Sequence, residues 1–294
     1  MTASGRPPID VFGTTFQNPI LLAAGTAGFG REVAEVIELE RLGGIVTKAV
    51  SPLPRGGNSA PRVAEFDGGM LNAVGLANPG LEQVDREELP WLAGHLTRAR
   101  VLVNVVGFAL DDYPKVVERL TAHTVVTAFE LNVSCPNTDR GGEEFGADSG
   151  VLADLVGRCR AVTERPLVVK LAPTLPNLAA TAQAAADAGA DGFSLVNTIP
   201  GTLFRMAERR SVGSRLGYGK GGVSGPALLP VGVLATRQVA GQTGLPVIGT
   251  GGVRTPEDVD QYLEAGAALV AVGTAAMVDP RVPERLAAAW SKHG

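Results

Sequence analysis

Residues 245–274 read LPVIGTGGVRTPEDVDQYLEAGAALVAVGT, two short apolar runs separated by one helical segment. The runs at 245–251 and 268–274 have the length and the apolar character of buried strands. Between them, residues 255–258 supply a hydroxyl cap, a first-turn proline and two carboxylates, which together indicate the start of a helix. Gly266 has the character of a helix C-terminal glycine. The stretch therefore predicts a strand–helix–strand unit of a parallel sheet.

The same unit recurs along the whole chain. The predicted strands are residues 19–25, 44–50, 101–107, 128–134, 166–172, 192–198, 245–251 and 268–274. The predicted helices are residues 31–42, 81–96, 113–122, 150–163, 178–188, 226–243, 256–265 and 283–290. Eight near-continuous apolar strands joined by helices indicate a sheet that closes, so we expect an α/β fold in which residues 1–294 form a single (β/α)₈ TIM barrel. A doubly wound open sheet is the main alternative.

The composition argues against a nucleic-acid-binding, membrane or secreted protein. The chain has 294 residues, 45% of them hydrophobic and 19% charged, with a net charge of −4, so a basic nucleic-acid-binding face is not expected. Its longest apolar stretch, near residues 266–278, is shorter than the roughly 18 residues that a membrane span needs. The first ten residues lack the apolar core of a signal peptide. We therefore expect a cytoplasmic protein without a membrane partner.

Cysteine and histidine are scarce. The two cysteines, Cys135 and Cys159, are too few for a disulfide scaffold or a Cys-ligated cluster. The three histidines are scattered without ligand spacing, so no metal site is expected. Any iron–sulfur chemistry would have to belong to another chain.

Two long excursions interrupt the repeat, a proline- and glycine-rich one at residues 51–78 and a polar one at residues 199–225. Both leave from the C-terminal end of a predicted strand, which is the catalytic face of such barrels, and long loops in compact domains are usually functional. Within the second excursion, residues 217–222 match the spacing G-x-G-x-x-G. Because a polar, basic stretch precedes them instead of a strand, we interpret them as a flexible loop and not a dinucleotide-binding turn.

Glycines follow the last two strands. Residues 248–253 and 272–274 predict a phosphate site at the exits of strands seven and eight, where backbone N–H groups can approach the ligand closely. Tight turns alone are the competing interpretation.

Lysines and asparagines indicate an anionic, planar ligand on the same face. Lys48 and Lys170 end apolar strands, where a buried ammonium needs an anionic partner; a structural salt bridge is the alternative. An amide side chain both donates and accepts hydrogen bonds, which suits a ligand with imide edges. The asparagines expected near this rim are Asn72, Asn104, Asn132, Asn137 and Asn197.

Cys135 follows the fourth strand in a polar neighbourhood, whereas Cys159 lies on a helix and is interpreted as a small buried hydrophobe. No histidine falls in the loops expected on this rim, so the Cys–His pair of a thiol hydrolase is not evident. We therefore expect Cys135 to act as an acid–base residue on a carbon acid.

Several stretches in this order resemble the class 1 dihydroorotate dehydrogenases, which are FMN-containing barrels. They are NPI (18–20), GFGRE (28–32), PRVAE (61–65), GMLNAVGL (69–76), NVSCPN (132–137), VKL (169–171), GGVSGP (221–226) and GG (251–252). The resemblance spans nearly the whole chain, and the joint occurrence of the stretches is specific.

The resemblance implies that Cys135 takes the C5 proton of dihydroorotate while a hydride passes from C6 to FMN, and that Lys170 stabilises negative charge on the reduced ring. Substrate contacts would come from Lys48, Asn72, Ala73, Val74, Gly75, Leu76, Asn132, Asn197 and Thr198. FMN contacts would come from Ala24, Lys48, Ala49, Asn104, Asn132, Lys170, Val196, Gly222, Gly251, Gly252, Gly273 and Thr274. Ala24 departs from the family, which commonly has serine there.

The runs at 141–146 and 28–32 look most like the class 1B catalytic subunit. That likeness implies a homodimeric core that passes electrons to NAD through a partner subunit carrying FAD and a 2Fe-2S cluster. A class 1A homodimer that reduces fumarate and a non-catalytic phosphate-binding barrel remain alternatives. A dihydropyrimidine dehydrogenase subunit would be expected to carry further cysteines. The basic loop at 205–218 is a second departure from the family and leaves partner docking open.

Overall fold

The computed structural model describes residues 7–134, 136–137 and 143–292. Eight parallel strands form a closed barrel, each paired with the strand before and after it in the chain, and β8 pairs with β1. The strands are β1 (Ile20–Leu22), β2 (Gly44–Val46), β3 (Arg100–Val105), β4 (Val126–Asn132), β5 (Leu167–Leu171), β6 (Gly192–Leu195), β7 (Val247–Thr250) and β8 (Leu269–Val272). The predicted (β/α)₈ barrel is confirmed, and the open-sheet alternative is wrong.

Seven of the eight predicted helices are confirmed. A π-helical turn at Val84–Glu88 joins Leu81–Gln83 to Leu89–His95, and a 3₁₀ turn at Pro226–Leu228 precedes Leu229–Thr243. The other helices are Asp112–Leu120, Ser149–Arg160, Leu178–Asp187, Pro256–Glu264 and Val282–Lys292. A short helix that was not predicted, Thr274–Val278, follows β8 directly.

The helix predicted at residues 31–42 is wrong. Residues 31–36 form successive turns, and only the 3₁₀ helix Leu39–Arg41 follows. Gly30 has φ +93°, and several backbone hydrogen bonds after it, such as Val33 N–H to Gly30 C=O, span three residues instead of four. The amphipathic pattern is present, but the glycine-rich entry supports turns rather than helical propagation.

Apolar side chains form two main layers. The larger cluster fills the space between the barrel and its helices. The smaller one lies inside the barrel, at the end where the strands begin, and includes Leu102, Ala128 and Val168. The hairpin Ile9–Val11/Thr14–Phe16 adds Val11 and the fully buried Phe16 to this cluster. It therefore closes the end where the strands begin, which we call the lower end of the barrel.

The two long excursions meet in one four-stranded antiparallel sheet. Its strands follow the order Ile199–Gly201, Gly221–Ser224, Gly69–Asn72 and Val63–Phe66. The loop predicted at residues 217–222 is therefore only partly right, because Gly221 and Gly222 are paired strand residues. A separate exposed hairpin, Phe204–Ala207/Arg210–Ser214, extends from the same excursion. No helix in the described part of the chain combines the length and apolar character needed to cross a membrane.

Candidate active site

Polar side chains replace the apolar layer at the C-terminal ends of the strands, which we call the upper end of the barrel interior. Successive inward positions on a strand are two residues apart, so Leu102, Ala128 and Val168 are followed by Asn104, Glu130 and Lys170. All three polar residues are buried, with relative exposures of 0%, 1% and 7%. This buried layer thus combines an amide, a carboxylate and an ammonium group.

Glu130 links this polar group together. Its Oε1 accepts a hydrogen bond of 2.6 Å from Asn104 Nδ2 and lies 3.6 Å from Lys170 Nζ. The salt-bridge interpretation of Lys170 is therefore confirmed, because Glu130 places a protein carboxylate beside the ammonium. A ligand contact of the same ammonium stays a prediction. The ammonium remains next to the upper end of the barrel, where it can also meet a ligand.

Within the part of the chain that the structure describes, three buried oxygens on β3, β6 and β7 have no hydrogen-bond partner: Asn104 Oδ1, Ser194 Oγ and Thr250 Oγ1. Leaving a buried polar atom unpaired costs roughly 1–3 kcal/mol. Ser194 pairs in register with Lys170 on one side and Ile248 on the other, which places it on the inward face. The donor and acceptor set fits a polar cofactor seated on the upper layer.

Two predicted asparagines meet at the strand ends. Asn197 Nδ2 donates to Asn132 Oδ1 over 3.3 Å, and Asn197 Oδ1 accepts from the Thr198 N–H at 2.9 Å. The backbone N–H of Asn197 is itself held by the Leu171 carbonyl. Asn132, Asn197 and Thr198 therefore form one cluster at the ends of β4 and β6.

Lys48 and Ala49 follow β2, two and three residues after its last residue, Val46. The Lys48 N–H donates to the Gly28 carbonyl at 2.7 Å. Among the described residues, no carboxylate lies within ion-pair distance of the Lys48 ammonium, which is only partly buried. This cation is therefore available to an anionic ligand. Ala24 occupies the corresponding place after β1.

The segment from Asn72 to Leu76 lies at the edge of the four-stranded sheet. Asn72 Nδ2 donates to the Gly222 carbonyl at 3.2 Å. Leu76 packs against Ala49 and Val106, which follow β2 and β3. The predicted substrate segment, including Ala73, Val74 and Gly75, is thus attached to the upper end of the barrel.

Glycines surround the exits of β7 and β8. Gly251 and Gly252 have φ values of +120° and +77°, and a Cβ at Gly252 would lie 2.6 Å from Leu229 N. Backbone conformation therefore requires glycine there, whatever binds. Gly273 precedes the short helix Thr274–Val278, and Thr274 Oγ1 donates to Ser224 Oγ at 2.8 Å. Val196 joins this region through its N–H, which donates to the Thr250 carbonyl.

Cys135 lies outside the described residues, as does the side chain of Asn137. The flanks are described: Gly146 N–H donates to the Val133 carbonyl at 3.1 Å, and Phe145 is fully buried. Burial also raises the pKa of Glu144, which borders this segment. The acid–base role of Cys135 stays a prediction.

Cys159 is fully buried on the helix Ser149–Arg160, as predicted. Burial raises the pKa of its thiol to about 12, while the nearby charge of Arg160 acts in the opposite direction. A thiol of this kind carries almost no thiolate at neutral pH and is chemically inert.

Sequence reasoning missed Glu130, Ser194 and Thr250 as site residues. Glu130 could have been found, because it interrupts an apolar strand as Lys170 does. Ser194 and Thr250 carry no such signal, since small hydroxyl side chains are ordinary in strands. In the described ranges, no group of three His, Cys, Asp or Glu side chains could hold a metal ion.

Comparison with known proteins gives a consistent result. The family model described as "Dihydroorotate dehydrogenase" matches residues 8–291. A relative from Bacillus thuringiensis (strain Al Hakam), named "Dihydroorotate dehydrogenase B (NAD(+)), catalytic subunit", is 43% identical over 277 residues, which is 94% of this chain and 88% of the relative. Proteins of the same name from Bacillus cereus (strain AH187) and Bacillus anthracis (strain A0248) match with the same identity and coverage.

Proposed function

This chain belongs to the dihydroorotate dehydrogenase family, and we propose that it oxidises (S)-dihydroorotate to orotate, a step in de novo synthesis of the pyrimidine nucleotide UMP. The observation that carries the proposal is the buried polar layer of Asn104, Glu130 and Lys170, which turns the upper end of an apolar barrel into a site for a charged, planar ligand.

FMN fits this upper end as the cofactor, one per chain, in a single domain of residues 1–294. The buried oxygens of Asn104, Ser194 and Thr250, which have no partner among the described residues, could bond to polar atoms of the cofactor. The glycines after β7 and β8 allow backbone N–H groups to bind its phosphate. When bound, FMN supplies a hydride acceptor. The residues that would hold it are Ala24, Lys48, Ala49, Asn104, Asn132, Lys170, Val196, Gly222, Gly251, Gly252, Gly273 and Thr274.

Lys170 has a defined electrostatic task in this arrangement. Its ammonium, nearly buried and 3.6 Å from Glu130, puts positive charge beside the position where negative charge develops on reduction. Glu130 in turn holds Lys170 and Asn104 in place.

The substrate would lie between the asparagine cluster and the segment after the small sheet. Lys48, which has no carboxylate within ion-pair distance among the described residues, would meet the substrate carboxylate. The amides of Asn72, Asn132 and Asn197 can both donate to the ring carbonyls and accept from the ring N–H groups. Ala73, Val74, Gly75, Leu76 and Thr198 would complete the contacts.

Cys135 would be the base. Its thiolate would take the proton from C5, and the electron pair of the broken C5–H bond would form the ring double bond. Bound FMN would supply the acceptor for the hydride lost from C6. The proton and the hydride account for the two hydrogens lost, so the product is orotate and no further co-reactant enters this half-reaction.

Replacement of the base tests the proposal. We expect Cys135→Ala to slow anaerobic flavin reduction by dihydroorotate about 10²–10⁴-fold, the usual contribution of a positioned base. FMN should stay bound at wild-type affinity, because the thiol is not among the proposed cofactor contacts. Stopped-flow absorbance measures the rate, and Cys159→Ala is the matched control that should keep it. An unchanged rate in Cys135→Ala would remove the base role.

The electrons would leave through a second protein. The relatives are named NAD(+)-linked catalytic subunits, which supports a separate electron-transfer subunit carrying FAD and a 2Fe-2S cluster. A homodimeric core is part of the proposal. The exposed hairpin Phe204–Ala207/Arg210–Ser214, where Phe204, Met206 and Val212 are more than half exposed, offers apolar surface to a second chain. The cytoplasmic location stays a prediction from the sequence.

An acceptor assay separates the two subclasses. The purified chain alone, given dihydroorotate, should turn over slowly with either NAD or fumarate, and should reduce NAD rapidly only after the partner subunit is added. Rapid fumarate turnover by the chain alone would favour the class 1A activity. A protein that binds no flavin at all would instead favour a non-catalytic phosphate-binding barrel.

A further inference from the structure

Two of the three tyrosines are fully buried, and each bonds a backbone carbonyl at the end of a different barrel strand. Tyr113 donates its hydroxyl to the backbone carbonyl of Asn132, the last residue of β4, over 2.8 Å. Tyr262 donates to the carbonyl of Gly251, directly after β7, over 2.7 Å. The third tyrosine, Tyr218, is 59% exposed.

Glycines leave room for both rings. A Cβ at Gly107 would lie 2.8 Å from Tyr113 Cε2. Cβ atoms at Gly232 and Gly249 would overlap the hydroxyl and the ring of Tyr262. Each ring is therefore held by its packing, and its hydroxyl has a fixed position against the strand end.

The bond from Tyr262 orients a peptide that borders the proposed phosphate site. Carbonyl and N–H point in opposite directions across a planar trans peptide, so the Gly251 carbonyl and the Gly252 N–H are coupled. Holding the carbonyl on the Tyr262 side directs the Gly252 N–H away from it. Burial, with the negative charge of Asp258, raises the pKa of Tyr262, so the hydroxyl keeps its proton and remains a donor.

The bond from Tyr113 fixes the strand end that leads to Cys135. The Asn132 carbonyl that it holds belongs to the residue whose side chain contacts Asn197. The Tyr113 ring also meets Phe145 edge to face, with centroids 5.6 Å apart. Since Phe145 lies at the other end of the segment that carries Cys135, Tyr113 contacts both flanks of that segment.

We propose that Tyr113 and Tyr262 are positioning residues with separate tasks. Tyr113 sets the strand end from which the proton-transfer segment leaves, and Tyr262 sets the Gly251–Gly252 peptide that meets the cofactor phosphate. The inference rests on the proposed function, and it predicts that loss of each hydroxyl affects a different measurement.

Single hydroxyl deletions in the full chain test this division. Tyr262→Phe should weaken FMN binding about 3- to 10-fold while the reduction rate at saturating FMN stays within about twofold. Tyr113→Phe should slow reduction by dihydroorotate about 3- to 10-fold. The FMN Kd should stay within about twofold, because Tyr113 holds only the backbone carbonyl of Asn132 and Asn132 is one of twelve proposed FMN contacts. Tyr218→Phe, the matched control, should change neither. Fluorescence titration gives the Kd, and anaerobic stopped flow gives the rate.

If the two tyrosines only stabilise the fold, the same measurements give a different result. If Tyr113→Phe and Tyr262→Phe lower both quantities together, or lower only the melting temperature, the division of tasks is wrong. The pH midpoint of the reduction rate should be the same in Tyr113→Phe as in the wild type, because geometry changes and the thiol does not. A wild-type protein that binds FMN but is not reduced by dihydroorotate would refute the proposed function and the task of Tyr113. The effect of Tyr262 on FMN affinity would then still be decided by the titration.

Discussion

The lower and upper ends of the barrel interior come from the same strands and differ completely in chemistry. At the lower end, Phe16 from the hairpin belongs to the same buried apolar cluster as Leu102, Ala128 and Val168. Two residues further along each of those strands, the inward positions carry Asn104, Glu130 and Lys170. Apolar burial stabilises the fold, whereas buried charges cost stability unless they are paired. The two ends should therefore respond differently to substitution.

The largest expected effect on stability is at the lower end. Phe16→Ala removes a fully buried ring from the hairpin and should lower the free energy of unfolding by about 3–5 kcal/mol. Urea unfolding measures this, and the folded fraction should keep the wild-type FMN Kd and reduction rate. Val278→Ala, at a side chain that is 79% exposed, is the control and should cost less than about 0.5 kcal/mol. If Phe16→Ala changed FMN affinity, the two ends would not be independent.

At the upper end, the ion pair should matter for both stability and chemistry. Lys170→Met leaves the buried Glu130 charge without its cation, and should lower the free energy of unfolding by about 3 kcal/mol and slow flavin reduction. Adding Glu130→Gln should restore most of the stability because the unpaired charge is gone. The rate should stay low because the Lys170 ammonium beside the flavin ring is still missing. Recovery of the rate in the double variant would contradict the proposed role of Lys170.

The smallest effect concerns Glu144 beside the Cys135 segment. Because burial raises its pKa above the ordinary 4.5, its contribution to stability is full below that value and is lost as the pH rises through the folded-state pKa. Glu144→Gln should therefore melt at a higher temperature than the wild type at neutral pH, and the difference should shrink toward pH 4. Thermal melts across this range check the sign. A wild type that is the more stable protein at neutral pH would contradict it.

The strands of the barrel were predictable because each is a short apolar run, buried on both faces. The four-stranded sheet was not, because it pairs Asn72 with Gly222 and nothing local in either segment specifies the other. The helix at 31–42 failed for a local reason: periodicity was present, but the glycines at its start support turns. Pairing between distant segments and glycine conformation are therefore the parts that a single sequence leaves open.

The candidate site was predictable where a polar residue interrupts an apolar pattern. Lys170 and Asn104 carry that signal and lie together at the upper end. The partnership of Lys170 with Glu130 could not be predicted, because it depends on the register of neighbouring strands. The hydroxyls of Tyr113 and Tyr262 were also missed, since a tyrosine on an amphipathic helix has the same pattern as any other core residue.

The central claim is that the upper end of this barrel holds FMN and oxidises dihydroorotate. The most direct measurement is an anaerobic titration of the FMN-loaded chain with dihydroorotate, followed by the visible flavin absorbance and by product analysis. We expect the absorbance to bleach with one orotate formed for each FMN reduced. Stoichiometric FMN binding without any bleaching would contradict the claim.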